Sequence, residues 1–99
     1  MIVVIGCAAA FAIGLYAVLT RRELIAILAG AEVMLGAANV QLVALALARG
    51  GDPAVASGFS LLVVVVAAAE AAVGLSIVVT AYRSGARSRL EEFGEVDAE

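Results

Sequence analysis

The chain has 99 residues, of which 65% are apolar and only 15% are charged, and its mean hydropathy is +1.14. An average soluble domain contains about 45–50% apolar and about 25% charged residues. A chain this small buries too little of its surface to hide such an excess from water. Lipid is therefore the expected solvent for most of the molecule.

The composition also excludes several kinds of site. Six basic residues stand against nine acidic ones, a balance that does not suit a nucleic-acid partner. There is no histidine, and Cys7 is the single cysteine, so neither an internal disulfide nor a zinc, haem or iron–sulfur site is expected. We expect no metal site, and we expect Cys7 to pack as a small apolar side chain.

Three long apolar segments follow one another along the chain. Residues 1–20 carry no charge, and Arg21, Arg22 and Glu23 form the loop 21–23 that ends this first segment. Twenty helical residues span about 30 Å, the thickness of the hydrocarbon layer of a bilayer. The first segment is therefore predicted to be a transmembrane helix.

The second and third segments have the same character. Residues 24–48 contain one charged residue, Glu32, and residues 57–82 contain one, Glu70. Between them, residues 49–56 include two glycines, an aspartate and the only proline, which predicts a loop. Residues 83–99 form a polar tail whose acidic end, 91–99, is interpreted as a solvated terminus. Because lipid permits only helices or closed barrels, the sequence predicts an all-α membrane protein with three transmembrane helices.

The arginines predict how the chain lies across the membrane. Five of them fall in the first loop and the tail: Arg21, Arg22, Arg83, Arg87 and Arg89. The second loop has only Arg49. Since cytoplasmic segments carry the excess of basic residues, the C-terminus and the loop 21–23 are predicted to be cytoplasmic. The N-terminus and the loop 49–56 are predicted to be outside.

Glu32 and Glu70 are the candidate functional residues. Counted from the cytoplasmic ends of the predicted helices, they lie at depths of roughly 12 and 18 Å. A charged side chain at the centre of a membrane helix costs about 2.5–3.5 kcal/mol on insertion scales, and such residues mark ion pathways and proton relays. The predicted spans contain no basic residue to pair with either glutamate. Proton relay is therefore favoured over the alternative, a structural polar contact between two helices.

Small and polar residues accompany both glutamates at helical spacing. Gly36 and Asn39 follow Glu32 on one stripe of the second helix. Three small residues share a face with Glu70: Ala67, Ala71 and Gly74. Small residues let neighbouring helices approach closely. Both stripes are therefore predicted to face protein rather than lipid.

Four strings of the sequence are similar to a known family: Gly14-Leu15-Tyr16, Arg21-Arg22, GAEVML at 30–35 and AAEAAVGL at 68–75. They resemble the small K, or mitochondrial 4L, subunits of the proton-pumping NADH:quinone oxidoreductase, respiratory complex I. The resemblance covers about residues 10–83. It implies a non-redox subunit of the membrane arm, between the quinone-proximal and the antiporter-like subunits. Arginine without lysine and abundant alanine and valine indicate a GC-rich genome, so the plasma (inner) membrane of a bacterium is the expected location.

The resemblance also implies roles for particular residues. The glutamates that match Glu32 and Glu70 belong to a polar axis that couples quinone reduction to proton movement, and Arg21 and Arg22 belong to the family pattern on the cytoplasmic side. It implies no cofactor bound by this chain, because FMN, iron–sulfur clusters and quinone belong to the whole complex.

Three other classes of protein remain as alternatives. The small subunit of a multisubunit cation/proton antiporter has three helices, but we expect it to lack the AAEAAVGL string. A homo-oligomeric channel or rotor subunit is usually a two-helix hairpin with one essential carboxylate. A purely structural membrane subunit would keep its role if the acids were replaced.

Overall fold

The computed structural model describes residues 1–84 and contains three α-helices: α1 at Ile2–Thr20, α2 at Leu24–Ala48 and α3 at Pro53–Arg83. All three helices are long and apolar enough to span a membrane. The prediction of an all-α membrane protein with three transmembrane helices is therefore confirmed. The orientation of the chain across the membrane stays a prediction. The acidic end of the tail, at 91–99, lies outside the described residues, as do Arg87 and Arg89.

The start of α3 differs from the prediction. Residues 53–56, which the sequence predicts to be part of the external loop, form the first turn of α3. The side chain of Asp52 caps this turn, because its Oδ1 accepts a hydrogen bond of 2.9 Å from the N–H of Ala54. Pro53 occupies the first helical position, where its missing N–H costs nothing and its fixed φ suits the helix. The aspartate and proline that indicated a loop are thus the start signal of the helix.

Two glycines turn the chain back after α2. Gly50 has a φ of +78°, in the left-handed region that glycine adopts without steric cost. Its N–H donates to the carbonyl of Leu47 at 3.0 Å, and the N–H of Gly51 donates to that of Ala46 at 2.9 Å. This pair of bonds is the Schellman arrangement that satisfies the last carbonyls of a helix. The helix end is therefore completed by backbone atoms alone.

α2 packs against both of the other helices. It approaches α1 closely at Gly14 and Gly30, which are buried against each other. The buried apolar side chains are few and mostly small: Cys7, Ala37, Ala56, Val78 and Ala81. Cys7 thus packs as expected. Most of the large aliphatic side chains point outward, because lipid or neighbouring proteins replace a core in a helix layer this thin.

Candidate functional site

Two contacts set the register of α2 against α3. A Cβ placed on Gly74 would lie 2.7 Å from Cδ1 of Leu28, and the side-chain amide of Asn39 donates to the carbonyl of Ser60 at 3.4 Å. Since residue numbers rise along α2 while they fall along α3, the two helices are antiparallel. Leu28 and Gly74 therefore mark one level of the helix pair, and Asn39 and Ser60 mark another.

These two contacts bring Glu32 and Glu70 to within about one helical turn of each other in height. Glu32 lies four residues after Leu28, and Glu70 lies four residues before Gly74. In an antiparallel pair both steps run in the same direction, and each amounts to about 6 Å. The Leu28–Gly74 contact alone would make the two glutamates level, whereas the Asn39–Ser60 contact offsets them by three residues, or about 4.5 Å. The depth difference of about 6 Å expected from the sequence therefore stays a prediction.

The two glutamates differ in how much their own chain covers them. Glu32 is half-buried on α2, whereas Glu70 is exposed on α3. Glu70 opens into a surface depression of about 420 Å³, and all the residues that line it belong to α3: Val66, Ala69, Glu70, Val73, Gly74 and Ile77. The carboxyl group of Glu70 therefore meets whatever surrounds this chain in the membrane.

The small residues predicted beside Glu70 lie between it and α2. Ala67, Ala71 and Gly74 are half-buried, and Gly74 is the one that touches Leu28 of α2. They form the packing face of α3, and Glu70 stands at the edge of that face. The close approach of α3 to α2 thus holds Glu70 near the height of Glu32 without covering it.

Asn39 and Gly36, the two residues predicted to share a stripe with Glu32, lie in different environments. Asn39 is half-buried and points to α3, where it donates to the Ser60 carbonyl. Its own Oδ1 is buried and has no hydrogen-bond partner among the described residues. Gly36 is exposed, and a Cβ placed on it would meet nothing within 4 Å. Within residues 1–84, Gly36 therefore faces away from both neighbouring helices.

Arg21 and Arg22 are both exposed in the short connection between α1 and α2. Arg21 is extended, and its backbone N–H closes α1 by donating to the carbonyl of Ala17 at 2.9 Å. The two guanidinium groups stand at the end of the molecule where α3 finishes with Arg83. The described part of the chain thus carries basic side chains at this end of the helix layer.

The chemistry that these residues permit is limited. Within residues 1–84, no three side chains of the histidine, cysteine, aspartate and glutamate types come together to hold a metal ion. Glu32 and Glu70 are the only ionisable acids between the two ends of α2 and α3. A carboxyl group in such a place exchanges protons and does little other chemistry. The two carboxyl groups therefore have the chemistry that proton transfer requires.

Sequence reasoning missed three features of this region. They are the close approach of Gly14 to Gly30, the packing of the Leu28 side chain against Gly74, and the buried side-chain oxygen of Gln41. Gly14, Gly30 and Gly74 all lie in the strings that carried the family resemblance. The spacing of these glycines along the helices could have indicated packing faces. Spacing alone, however, does not say which neighbouring helix each glycine faces.

Three membrane-length helices, with one carboxyl group half-buried on α2 and another exposed on α3, define the class of protein. This is an all-α membrane protein with two acidic side chains in its apolar helices. Comparison with known proteins identifies the family. The model of the NADH-ubiquinone/plastoquinone oxidoreductase chain 4L family matches residues 2–97. The chain therefore belongs to this family, and the resemblance found in the sequence is confirmed.

Several bacterial relatives match most of the chain. NADH-quinone oxidoreductase subunit 11 of Thermus thermophilus is 44% identical over 86 residues, which is 87% of both chains. NADH-quinone oxidoreductase subunit K of Myxococcus xanthus is 44% identical over 85 residues, covering 86% of this chain and 83% of the relative. The subunit K of a Geobacillus species is 45% identical over 83 residues, covering 83% and 79%.

Proposed function

We propose that this chain is a non-redox subunit of the membrane arm of a bacterial NADH–quinone oxidoreductase, in which Glu32 and Glu70 relay protons. The observation that carries the proposal is that the two acids lie at similar heights on two packed antiparallel helices, as the Leu28–Gly74 and Asn39–Ser60 contacts indicate. The names of the relatives supply the enzyme to which the relay is coupled. The family match favours this assignment over the cation/proton antiporter.

The relay needs partners because this chain leaves its path open at both ends. Glu70 opens into a depression lined by α3 alone, and the Gly36 side of α2 is uncovered. Hydrocarbon cannot hydrogen-bond a carboxyl group, so burial against lipid is costly. Neighbouring subunits of the membrane arm, quinone-proximal on one side and antiporter-like on the other, are proposed to cover these positions with polar groups or water.

In this proposal the chain binds no redox group. FMN, iron–sulfur clusters and quinone are assigned to other subunits, and electron transfer there changes the proton occupancy of Glu32 and Glu70. Each carboxyl group takes a proton from one neighbour and passes it to the next. The chain is proposed to lie in the plasma membrane, with its N-terminus outside and Arg21 and Arg22 on the cytoplasmic side.

Replacing each glutamate by glutamine tests the relay. Glutamine keeps the volume and most of the hydrogen-bonding capacity but has no exchangeable acid proton. We expect Glu32→Gln and Glu70→Gln to leave the complex assembled and to lower quinone-reductase turnover and coupled proton pumping strongly in membrane vesicles. The amount of assembled complex is measured on the same preparation. Full coupled activity in the double variant would reject the relay and leave the structural role.

A further inference from the structure

Two surface depressions adjoin each other on the exposed side of α3. The first is the depression that holds Glu70. The second also has a volume of about 420 Å³ and is lined by Ala72, Val73, Ser76, Ile77 and Thr80. Val73 and Ile77 belong to both linings. The depression around Glu70 therefore adjoins one that lies nearer the end of α3 at Arg83.

The second depression carries hydroxyl groups. Ser76 and Thr80 are exposed, and each donates its hydroxyl proton to the backbone of its own helix. Ser76 Oγ donates to the carbonyl of Ala72 at 2.7 Å, and Thr80 Oγ1 donates to the carbonyl of Ser76 at 2.8 Å. Because a hydroxyl oxygen also has two acceptor lone pairs, both oxygens can still accept a hydrogen bond from water.

The hydroxyl groups lie near Glu70 in one direction along α3 only. Toward the beginning of the helix, residues 61–69 are all apolar. Toward its end, Ser76 follows Glu70 by six residues, or about 9 Å along the axis. Since hydrogen-bonded oxygens lie about 2.8 Å apart, about three such steps span this distance. Thr80 then lies three residues before Arg83, the last residue of the helix.

We propose that Ser76 and Thr80 hold the water through which protons from the cytoplasm reach Glu70, between α3 and the subunit that covers it. Both are positioning residues, because each hydroxyl group accepts a hydrogen bond from water while its own proton stays on the helix backbone. The proton moves through the water to the carboxyl group. The inference rests on the proposed function and on the proposed orientation, which puts the Arg83 end of α3 in the cytoplasm.

The reactivity of introduced thiols tests for water at these positions. Ser76→Cys and Thr80→Cys are made separately in a Cys7→Ala background, and the assembled complex is treated in inside-out vesicles with a charged, impermeant methanethiosulfonate. A thiol reacts as its thiolate, which apolar surroundings suppress. We expect both cysteines to react. Val79→Cys is the matched control, because Val79 is 49% exposed, lies next to Thr80 and belongs to neither lining.

Unreactive thiols at both positions would show lipid or tight packing there and would overturn the proposal. Reaction at position 80 alone would end the water short of Ser76, with the same consequence. Equal reaction at position 79 would show that water is not confined to the depression, which also contradicts the proposal.

Removal of the hydroxyl groups tests their role in proton supply. Ser76→Ala combined with Thr80→Val nearly keeps the side-chain volumes. We expect the same amount of complex but about fivefold slower coupled proton pumping at neutral pH, as the loss of one hydrogen bond to water predicts. The deficit should shrink as the cytoplasmic pH is lowered, because proton supply then limits less. Glu32, the only titratable side chain of α2, is the same in both proteins.

Thr20→Val is the matched control for this double variant. Thr20 lies at the same end of the molecule on α1, and its Oγ1 donates to the carbonyl of Tyr16 in the same kind of bond at 2.6 Å. It belongs to neither depression, so wild-type pumping is expected. An equal loss in Thr20→Val, or a loss in the double variant that does not change with pH, would reject the role in proton supply.

Failure of this inference is distinguishable from failure of the proposed function. If Glu70→Gln keeps full coupled activity, the relay fails and the water path with it. If Glu70→Gln stops proton pumping while the Ser76 and Thr80 double variant pumps like wild type, only the water path fails.

Discussion

Gly14 and Gly30 meet backbone to backbone where α1 crosses α2. A Cβ placed on Gly14 would lie 2.7 Å from the carbonyl oxygen of Gly30, and one placed on Gly30 would lie 2.9 Å from the carbonyl oxygen of Gly14. Neither position has room for a methyl group. Because the requirement is reciprocal, the separation of the two helices is set by two hydrogen atoms rather than by side chains.

Gly14→Ala is therefore expected to push α1 away from α2. The added methyl group would also lie 2.8 Å from Cγ of Met34, and overpacking of this kind costs about 1–3 kcal/mol. We expect a lower thermal midpoint for the assembled complex and less complex in the membrane. Gly6→Ala is the matched control, because a Cβ at Gly6 in the same helix meets nothing within 4 Å. Equal stability of the two variants would show that the crossing tolerates a side chain.

The different surroundings of Gly36 and Gly74 predict which of these positions can hold a relocated carboxyl group that supports proton pumping. Gly36 follows Glu32 by one turn and has open space around it, so Glu32→Gln combined with Gly36→Glu should recover part of the proton pumping. Gly74 stands in the same relation to Glu70, but Leu28 occupies its space. Glu70→Gln combined with Gly74→Glu should therefore lower assembly.

A third double variant separates packing from proton transfer. Val66 precedes Glu70 by one turn, is 51% exposed and lines the same depression. Glu70→Gln combined with Val66→Glu is therefore expected to assemble and to pump better than Glu70→Gln alone. Proton pumping is measured in vesicles and normalised to the amount of complex. If proton pumping recovers in neither the Gly36 nor the Val66 variant, a carboxyl group on the correct helix face is not sufficient. Its exact position along the helix would then be required.

The cap of α3 predicts a local effect at the loop between α2 and α3. Asp52→Ala removes the acceptor for the Ala54 N–H, and loss of such a cap costs about 1 kcal/mol. We expect amide exchange in the first turn of α3 to rise by about fivefold in the assembled complex, as measured by mass spectrometry. Asp52→Asn keeps an acceptor oxygen at the same place and should restore protection. Unchanged exchange in Asp52→Ala would show that Pro53 alone holds the turn.

Topology is tested with single cysteines in a Cys7→Ala background. Ser57 and Ser84 are exposed, near the beginning of α3 and just after its end. An impermeant maleimide added outside intact cells should label a cysteine at position 57 and leave one at position 84 unlabelled. Permeabilised cells, in which both positions should react, provide the control. Labelling at position 84 alone would show that the chain has the opposite orientation to the one proposed.

The sequence by itself determined the number of helices and the identity of the intramembrane acids. Three long apolar segments leave lipid as the only solvent, and hydrogen bonding of the backbone in lipid leaves helices as the only form for segments of that length. Glu32 and Glu70 stood out because an acid in such a segment is costly wherever the helix packs. These conclusions depend on properties of each segment alone.

Only the tertiary structure decided how the segments meet. Leu28 fills the space beside Gly74, and this contact and the Asn39–Ser60 hydrogen bond bring Glu32 and Glu70 to similar heights. Gly36 and Gly74 follow the two glutamates at the same spacing, yet one is open and the other is filled. Helical spacing says which residues share a face, but not which neighbour that face meets or at what height. Those answers come from the fit of side chains between helices, which no single segment contains.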